Sequence, residues 1–370
     1  MKKILFIFVM MLLCILFAGM KVSADQPEDI LSASGAEELD SGDILSEHGV
    51  TFDSPESILS LDPSEIWEEL KKMLEDRLYR PVRTFILIAV LIIAASLIES
   101  AGGTIRSKEL SGIFELICVL SCTALIMPSV SDCLDTVLSA IKDGEKFMLG
   151  FVPVFSAMTA AEGSVTSASG YSFIVLGFSD IAIKLSESFF IPLLGMSLSL
   201  GIADACCDGI NLTGLINAVK KIVTWGLGLV MTVFVGLLSI KSIVGTASDT
   251  LTLKTAKYLI SNTVPLIGAA ASEAYSSVKG SISLLKKGAG SIGIAAVCFM
   301  LLPPFIDMIL YRAAFGLLGI ISEIFGAKKL TALFKNINSV MSAAFSILVC
   351  FAVMFVIATG IVMTFCTPAV

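Results

Sequence analysis

From Val340 to Phe365 the chain runs 26 residues without one charged side chain. A soluble core does not need such a run, whereas a helix crossing about 30 Å of hydrocarbon needs about twenty consecutive apolar residues. Comparable apolar runs occur at Val82–Ser100, Gly112–Val130 and Ile222–Ile240. Charged residues make up 15% of the 370 residues, where soluble domains carry about 25%. The expected fold is therefore an all-α polytopic membrane protein with about eight membrane segments, some of them broken or re-entrant.

The formal charge of -7 is unevenly spread. Between Asp25 and Asp76, 16 acids face only Lys71 and Lys72, while the chain after Asp76 holds 20 bases and 16 acids. The body is mildly basic, as inserted proteins with cytoplasmic loops tend to be. The N-terminus has Lys2 and Lys3, an apolar stretch from Ile4 to Ala18, and Val22-Ser23-Ala24 as a small-residue cleavage site. Residues 1–24 are expected to be a secretory signal peptide; Lys21 beside the cut keeps an uncleaved first span as the alternative. Either way residues 25–61, rich in Asp, Glu, Ser and Gly, form an exported segment too polar to bury a core, and disorder is expected there.

At Asp62-Pro63-Ser64-Glu65 the pattern predicts a helix start, with Asp62 as cap and Pro63 in the first helical position. Ile66, Leu70, Met73, Leu74 and Leu78 share one face, so residues 62–80 should form an amphipathic helix that lies on the membrane or packs on protein. Residues 81–370 form the multi-span domain. Arg106 and Lys108 between the first two spans predict a cytoplasmic loop. Export of the N-terminus requires the same orientation, and Ser131–Lys146 then falls outside as a polar stretch. Phe147–Ala161 is short and contains Pro153; Tyr171–Ala203 is too long for one straight span and carries Pro192. Pro303-Pro304 marks a further break.

A weak tandem repeat of about 112 residues is also legible. Val152-Pro153-Val154 followed by Glu162 resembles Val264-Pro265-Leu266 followed by Glu273, and Leu215–Ile222 resembles Leu330–Ile337. Three crossings per unit would invert the second copy, as in many transporters. Small-residue membrane helices also resemble one another by chance.

Asp180, Lys184 and Glu187 fall at i, i+4 and i+7 on one helical face. Charges at membrane depth are costly and face an interior or a wet cavity, so a polar pathway is one reading. Simple pairing near an interface, with Lys184 snorkelling, is the other. Asp307 and Arg312 form a looser pair of the same kind, and Glu115 stands alone in its span. No catalytic, cofactor-binding or metal-ligating residue is expected. His48 is the single histidine, which excludes histidine-based zinc sites and triads. The nine cysteines show no CxxC spacing, and most lie in apolar spans where a thiol acts as a small hydrophobe. Gly288-Ala289-Gly290-Ser291-Ile292-Gly293 matches GxGxxG but lacks the preceding strand that a nucleotide loop needs. No phosphate-binding GxxxxGKS is present, so any ATPase would be a separate subunit.

Further blocks carry a resemblance. Phe151-Val152-Pro153-Val154-Phe155 with Ala161 and Ser167-Ala168, then Phe234-Val235-Gly236-Leu237-Leu238-Ser239-Ile240, then Asp249 through Lys254, Lys257, Ser261-Asn262, Pro265 and Gly268 resemble the stage III sporulation protein AE family. The likeness runs from about Pro81 to the C-terminus, and the exported acidic segment matches the family layout. The resemblance implies a non-enzymatic, polytopic component of a mother-cell assembly in endospore formation. That assembly meets a forespore protein across the intermembrane space and is thought to form a channel, or feeding tube, that sustains late forespore gene expression. The implied partners are other stage III sporulation membrane proteins and the lipid bilayer, with no nucleic acid and no cofactor. The implied location is the mother-cell membrane surrounding the forespore, with the N-terminal segment exported. The alternative from the residues alone is a self-sufficient secondary transporter of a small solute.

Overall fold

The computed structural model describes residues 63–102, 108–161, 164–207, 212–263 and 268–364, and every regular element among them is helical. The expected signal peptide, the acidic segment, the Asp62 cap and Arg106 lie outside the described residues.

Helix α1 spans Pro63–Gly102, with proline in the first position as the sequence predicts. It does not stop at the end of the amphipathic stretch: Pro81 sits inside it, and the expected first span is its continuation. Helix α2, Lys108–Ala161, contains Pro128 and Pro153. The polar stretch Ser131–Lys146, expected as a connection outside the membrane, is therefore continuous helix. Helix α3, Val165–Leu185, passes through a five-residue π turn, Ser186–Phe190, into α4, Ile191–Cys206. Helix α5 is Thr213–Thr263, α6 is Gly268–Ile324 with Pro303 and Pro304 inside it, and α7 is Lys328–Thr364.

Six helical rods among the described residues are long and apolar enough to cross a membrane, which fits a multi-pass membrane protein. The sequence expectation was about eight segments. Two features account for the difference: the charged stretch Ser131–Lys146 joins the expected segments Gly112–Val130 and Phe147–Ala161 within one helix, and each internal proline removes a single backbone hydrogen bond, a loss that neighbouring helices and local adjustment tolerate. Of the tandem repeat, the block Val264-Pro265-Leu266 lies outside the described residues.

The core is organised around α7. Of its most apolar window 67% is buried, against 22% for α1, so α7 is central and α1 peripheral. Helix α7 packs on α6, α4, α2 and α5, whereas α1 rests on α6 and α2. Phe334, Phe351 and Phe355 of α7 are fully buried with Phe147 and Phe155 of α2, Phe234 of α5 and Phe315 of α6. Close approach is set by glycine at two places. A Cβ on Gly144 would come within 2.2 Å of the Phe355 ring, and one on Gly201 within 1.4 Å of the Asn336 amide. The buried Tyr171 hydroxyl donates to the Ala358 carbonyl at 3.1 Å, fastening α3 to α7.

Helices α6 and α7 form a hairpin around Gly326, whose φ of +76° suits glycine. The Gly326 N–H donates to the Glu323 carbonyl at 3.1 Å and the Ala327 N–H to the Ser322 carbonyl at 3.0 Å. This pair of bonds is a Schellman motif and satisfies carbonyls that the end of α6 would otherwise leave open.

Candidate polar face and cavity

The long rods alternate in character along their length. In α2 an apolar stretch gives way to Asp132, Asp135, Lys142, Asp143, Glu145 and Lys146, and then becomes apolar again from Phe147. In the α3 rod the change comes at Asp180 and Lys184 and, within the π turn, at Glu187, and in α6 at Asp307 and Arg312. Packing brings these stretches together into two polar regions.

The first lies between α2 and the α3 rod. Lys142 Nζ meets Glu187 Oε1 at 2.7 Å across the two helices. Lys184 Nζ meets Asp180 Oδ2 at 2.8 Å one turn apart, and Lys146 Nζ meets Asp143 Oδ1 at 2.9 Å. Glu145 lies within electrostatic reach of Asp180 and Lys184. The side chains of these three ion pairs are 40% to 71% exposed, so the face is open rather than enclosed.

The second region is a cavity of about 480 Å³ walled by α1, α2 and α6. Its lining includes Asp76, Arg77, Arg80, Asp132, Asp307 and Tyr311. Arg77 hydrogen-bonds and ion-pairs with Asp307, 230 residues away. Asp307 and Arg312, taken together in the sequence, thus have different neighbours. The Arg312 guanidinium stands over the Phe345 ring at 5.2 Å from its centroid, a cation–π arrangement that keeps a cation beside apolar packing. Its Nε is buried without a hydrogen-bond partner.

Glu115 is not isolated, because Lys329 of α7 reaches it at 3.6 Å. Sequence reasoning missed Arg77, Arg80, Asp132, Lys142 and Tyr311, since it assigned them to the amphipathic helix, an outer polar stretch and an apolar span. The available signal was the cost of Asp307 and Glu187 at depth, each of which calls for a cation on another helix.

Among the described residues no group of three or more His, Cys, Asp or Glu side chains could hold a metal ion. No disulfide joins the described cysteines, of which Cys118, Cys122 and Cys133 are buried and Cys207 is exposed. The GxGxxG match lies within helix α6, not on a loop after a strand. Chemically, the arrangement offers charges of both signs beside water-sized space, which suits the binding or passage of polar solutes.

The family model of stage III sporulation protein AE matches residues 52–366. Stage III sporulation protein AE of Bacillus subtilis (strain 168) is 23% identical over 281 residues, covering 76% of this chain and 70% of that protein. No solved structure matches the chain.

Proposed function

Because the chain belongs to the stage III sporulation protein AE family, we propose that it is a membrane component of the channel assembly joining mother cell to forespore, needed for late forespore gene expression. The carrying observation is the extent of the family match, which takes in all six apolar rods. In this reading the protein sits in the mother-cell membrane around the forespore with residues 25–61 exported after cleavage at Ala24. Its partners are other stage III sporulation membrane proteins, any ATPase is a separate subunit, and the chain is not an enzyme. Asp180, Lys184 and Glu187, with Asp307 and Arg312, are its candidate polar pathway. Although paired, Asp180, Lys184 and Glu187 stay exposed on the α3 rod, as a wet pathway requires.

Deletion in a spore-forming host should leave vegetative growth and engulfment intact and stop late forespore gene expression. Normal heat-resistant spore yield from a strain without a second copy would overturn the assignment. For the pathway, Asp180→Asn and Glu187→Gln should leave membrane abundance near normal and lower spore yield, because amides keep size while removing charge. If Asp180→Asn, Lys184→Met and Glu187→Gln combined gave full abundance and parental spore yield, these charges would not serve transport.

The cavity beside Asp307 favours a second reading, a self-sufficient secondary transporter whose solute carries both signs of charge. Uptake of a solute by liposomes holding the purified protein alone would select it over the assembly component.

A further inference from the structure

The polar face of α2 and α3 is one that no other described residue of this chain covers, and its charges are unsuited to hydrocarbon. Lys142, Lys146 and Leu149 share one side of α2, and Phe173, Gly177, Asp180, Lys184 and Glu187 share one side of the α3 rod. Phe173 is 81% exposed and Leu149 54%, on the same sides as the charges. The outer side of α5 is different. There Ile222, Trp225, Leu229, Val233, Leu237 and Ile240 are exposed with no charged residue between Ile222 and Ile240, the pattern that lipid requires.

Length rules out a simple placement. Helix α2 has 54 residues, roughly 80 Å at 1.5 Å per residue, whereas the hydrocarbon core is about 30 Å thick. Setting the charged stretch in hydrocarbon exposes three lysines and their acids to lipid, which is costly for each charge near the centre. Setting it in water leaves one apolar stretch of α2 and α3 beyond the bilayer, with Leu149 and Phe173 exposed. In both placements the face is completed by protein.

The charge pattern selects the covering protein. Lys142, Lys146 and Lys184 are nearly balanced by Asp143, Glu145, Asp180 and Glu187, so a partner of one sign would be repelled by half of the face. Two copies in one membrane orientation are related by a two-fold axis along the helices. That axis sets α2 of one copy against the α3 rod of the other at the same height. Lys142 then meets Glu187 of the second copy, and Glu145 meets its Lys184, because these residues already share a level within one chain. Phe173, Leu149 and the open surface over Gly177, where a Cβ would meet nothing within 4 Å, complete the contact.

We infer that this face is an isologous interface between two copies of the chain, with the charged side chains arrayed along the seam. The inference rests on the proposed reading of these charges as lying away from lipid, and the experiment separates the two. In a cysteine-free full-length protein that still supports sporulation, Gly177→Cys should crosslink to itself under mild oxidation in membranes. Gly228→Cys on α5, equally open, should crosslink several-fold less. Two differently tagged copies, one Lys142→Glu and the other Glu187→Lys, should each fail to self-associate yet co-purify when expressed together. Both variants hold a like-charged 142–187 pair within their own chain, so recovery on mixing reports contact between chains. Absence of co-purification of tagged parental copies, equal crosslinking at both positions, or no recovery on mixing would overturn the interface. Failure of the interface together with sporulation defects in the amide variants would leave the pathway reading standing without it.

Discussion

Gly201→Ala tests whether the contact between α4 and α7 is as close as it stands. The new methyl would lie 1.4 Å from Asn336 Nδ2 and 3.1 Å from its Cβ. To reach ordinary contact near 3.5 Å the amide must move by roughly 2 Å. Asn336 is 8% exposed and Ser197 fully buried, so there is little room for that movement. Moving the amide breaks its bond to the Ser197 carbonyl at 3.2 Å, worth about 0.5–1.5 kcal/mol, and overpacking adds about 1–3 kcal/mol. The expected loss is about 2–4 kcal/mol. Asn336→Ala alone should cost about 1 kcal/mol from the lost bond. Gly201→Ala combined with Asn336→Ala should be more stable than Gly201→Ala alone, since the methyl then enters vacated space, although the Cβ contact keeps recovery partial. Unfolding in mixed micelles by SDS titration measures all four proteins. A coupling energy of about 1 kcal/mol or more is expected; Gly201→Ala unfolding with its parent, or purely additive losses, would refute the close approach.

Arg77→Ala should destabilise the protein by about 1–2 kcal/mol in the same titration, a partly exposed pair being worth less than a buried one, and Arg77→Asp with Asp307→Arg should recover part of the loss. In detergent-solubilised protein, an impermeant maleimide should modify the exposed Cys207 well before Cys118, Cys122 or Cys133, read by mass spectrometry of the labelled peptides; prior loss of Cys122 would contradict the packing of α2. For topology, Ser54→Cys and not Ser107→Cys should be labelled on intact cells by an impermeant reagent, in a background without reactive native thiols; the reverse would invert the protein.

The helix start at Pro63, the helical class and the apolar runs were legible because each depends on residues close in sequence. The prolines misled the count, since Pro153, Pro192 and the pair at Pro303 look like breaks one at a time. What decides is whether packing tolerates the missing hydrogen bond, and that depends on other helices. The stretch from Asp132 to Lys146 misled for a related reason: its charges suggest a connection, yet Asp143 and Lys146 are spaced as a helical ion pair. Asp180 with Lys184 was legible for the same local reason. The partners of Asp307, Glu187 and Glu115 were not, because Arg77, Lys142 and Lys329 come from elsewhere in the chain.

The π turn gives the chain one residue of slack at one place. Its closing bond runs from the Ile191 N–H to the Ser186 carbonyl, one residue longer than the α-helical bond. One residue of an α-helix corresponds to about 100°, and the wider turn takes up that surplus, so α4 keeps nearly the phase that a regular rod one residue shorter would give it. Loss of Ser188 would restore regular pitch and leave Ser197 and Gly201 facing Asn336. Asp180 and Lys184, before the turn, would stay in place. The same deletion within α3 or α4 would rotate one half of the rod against the other by about 100°, so the turn is where the rod absorbs a change of length without losing the register between its polar and its closely packed halves.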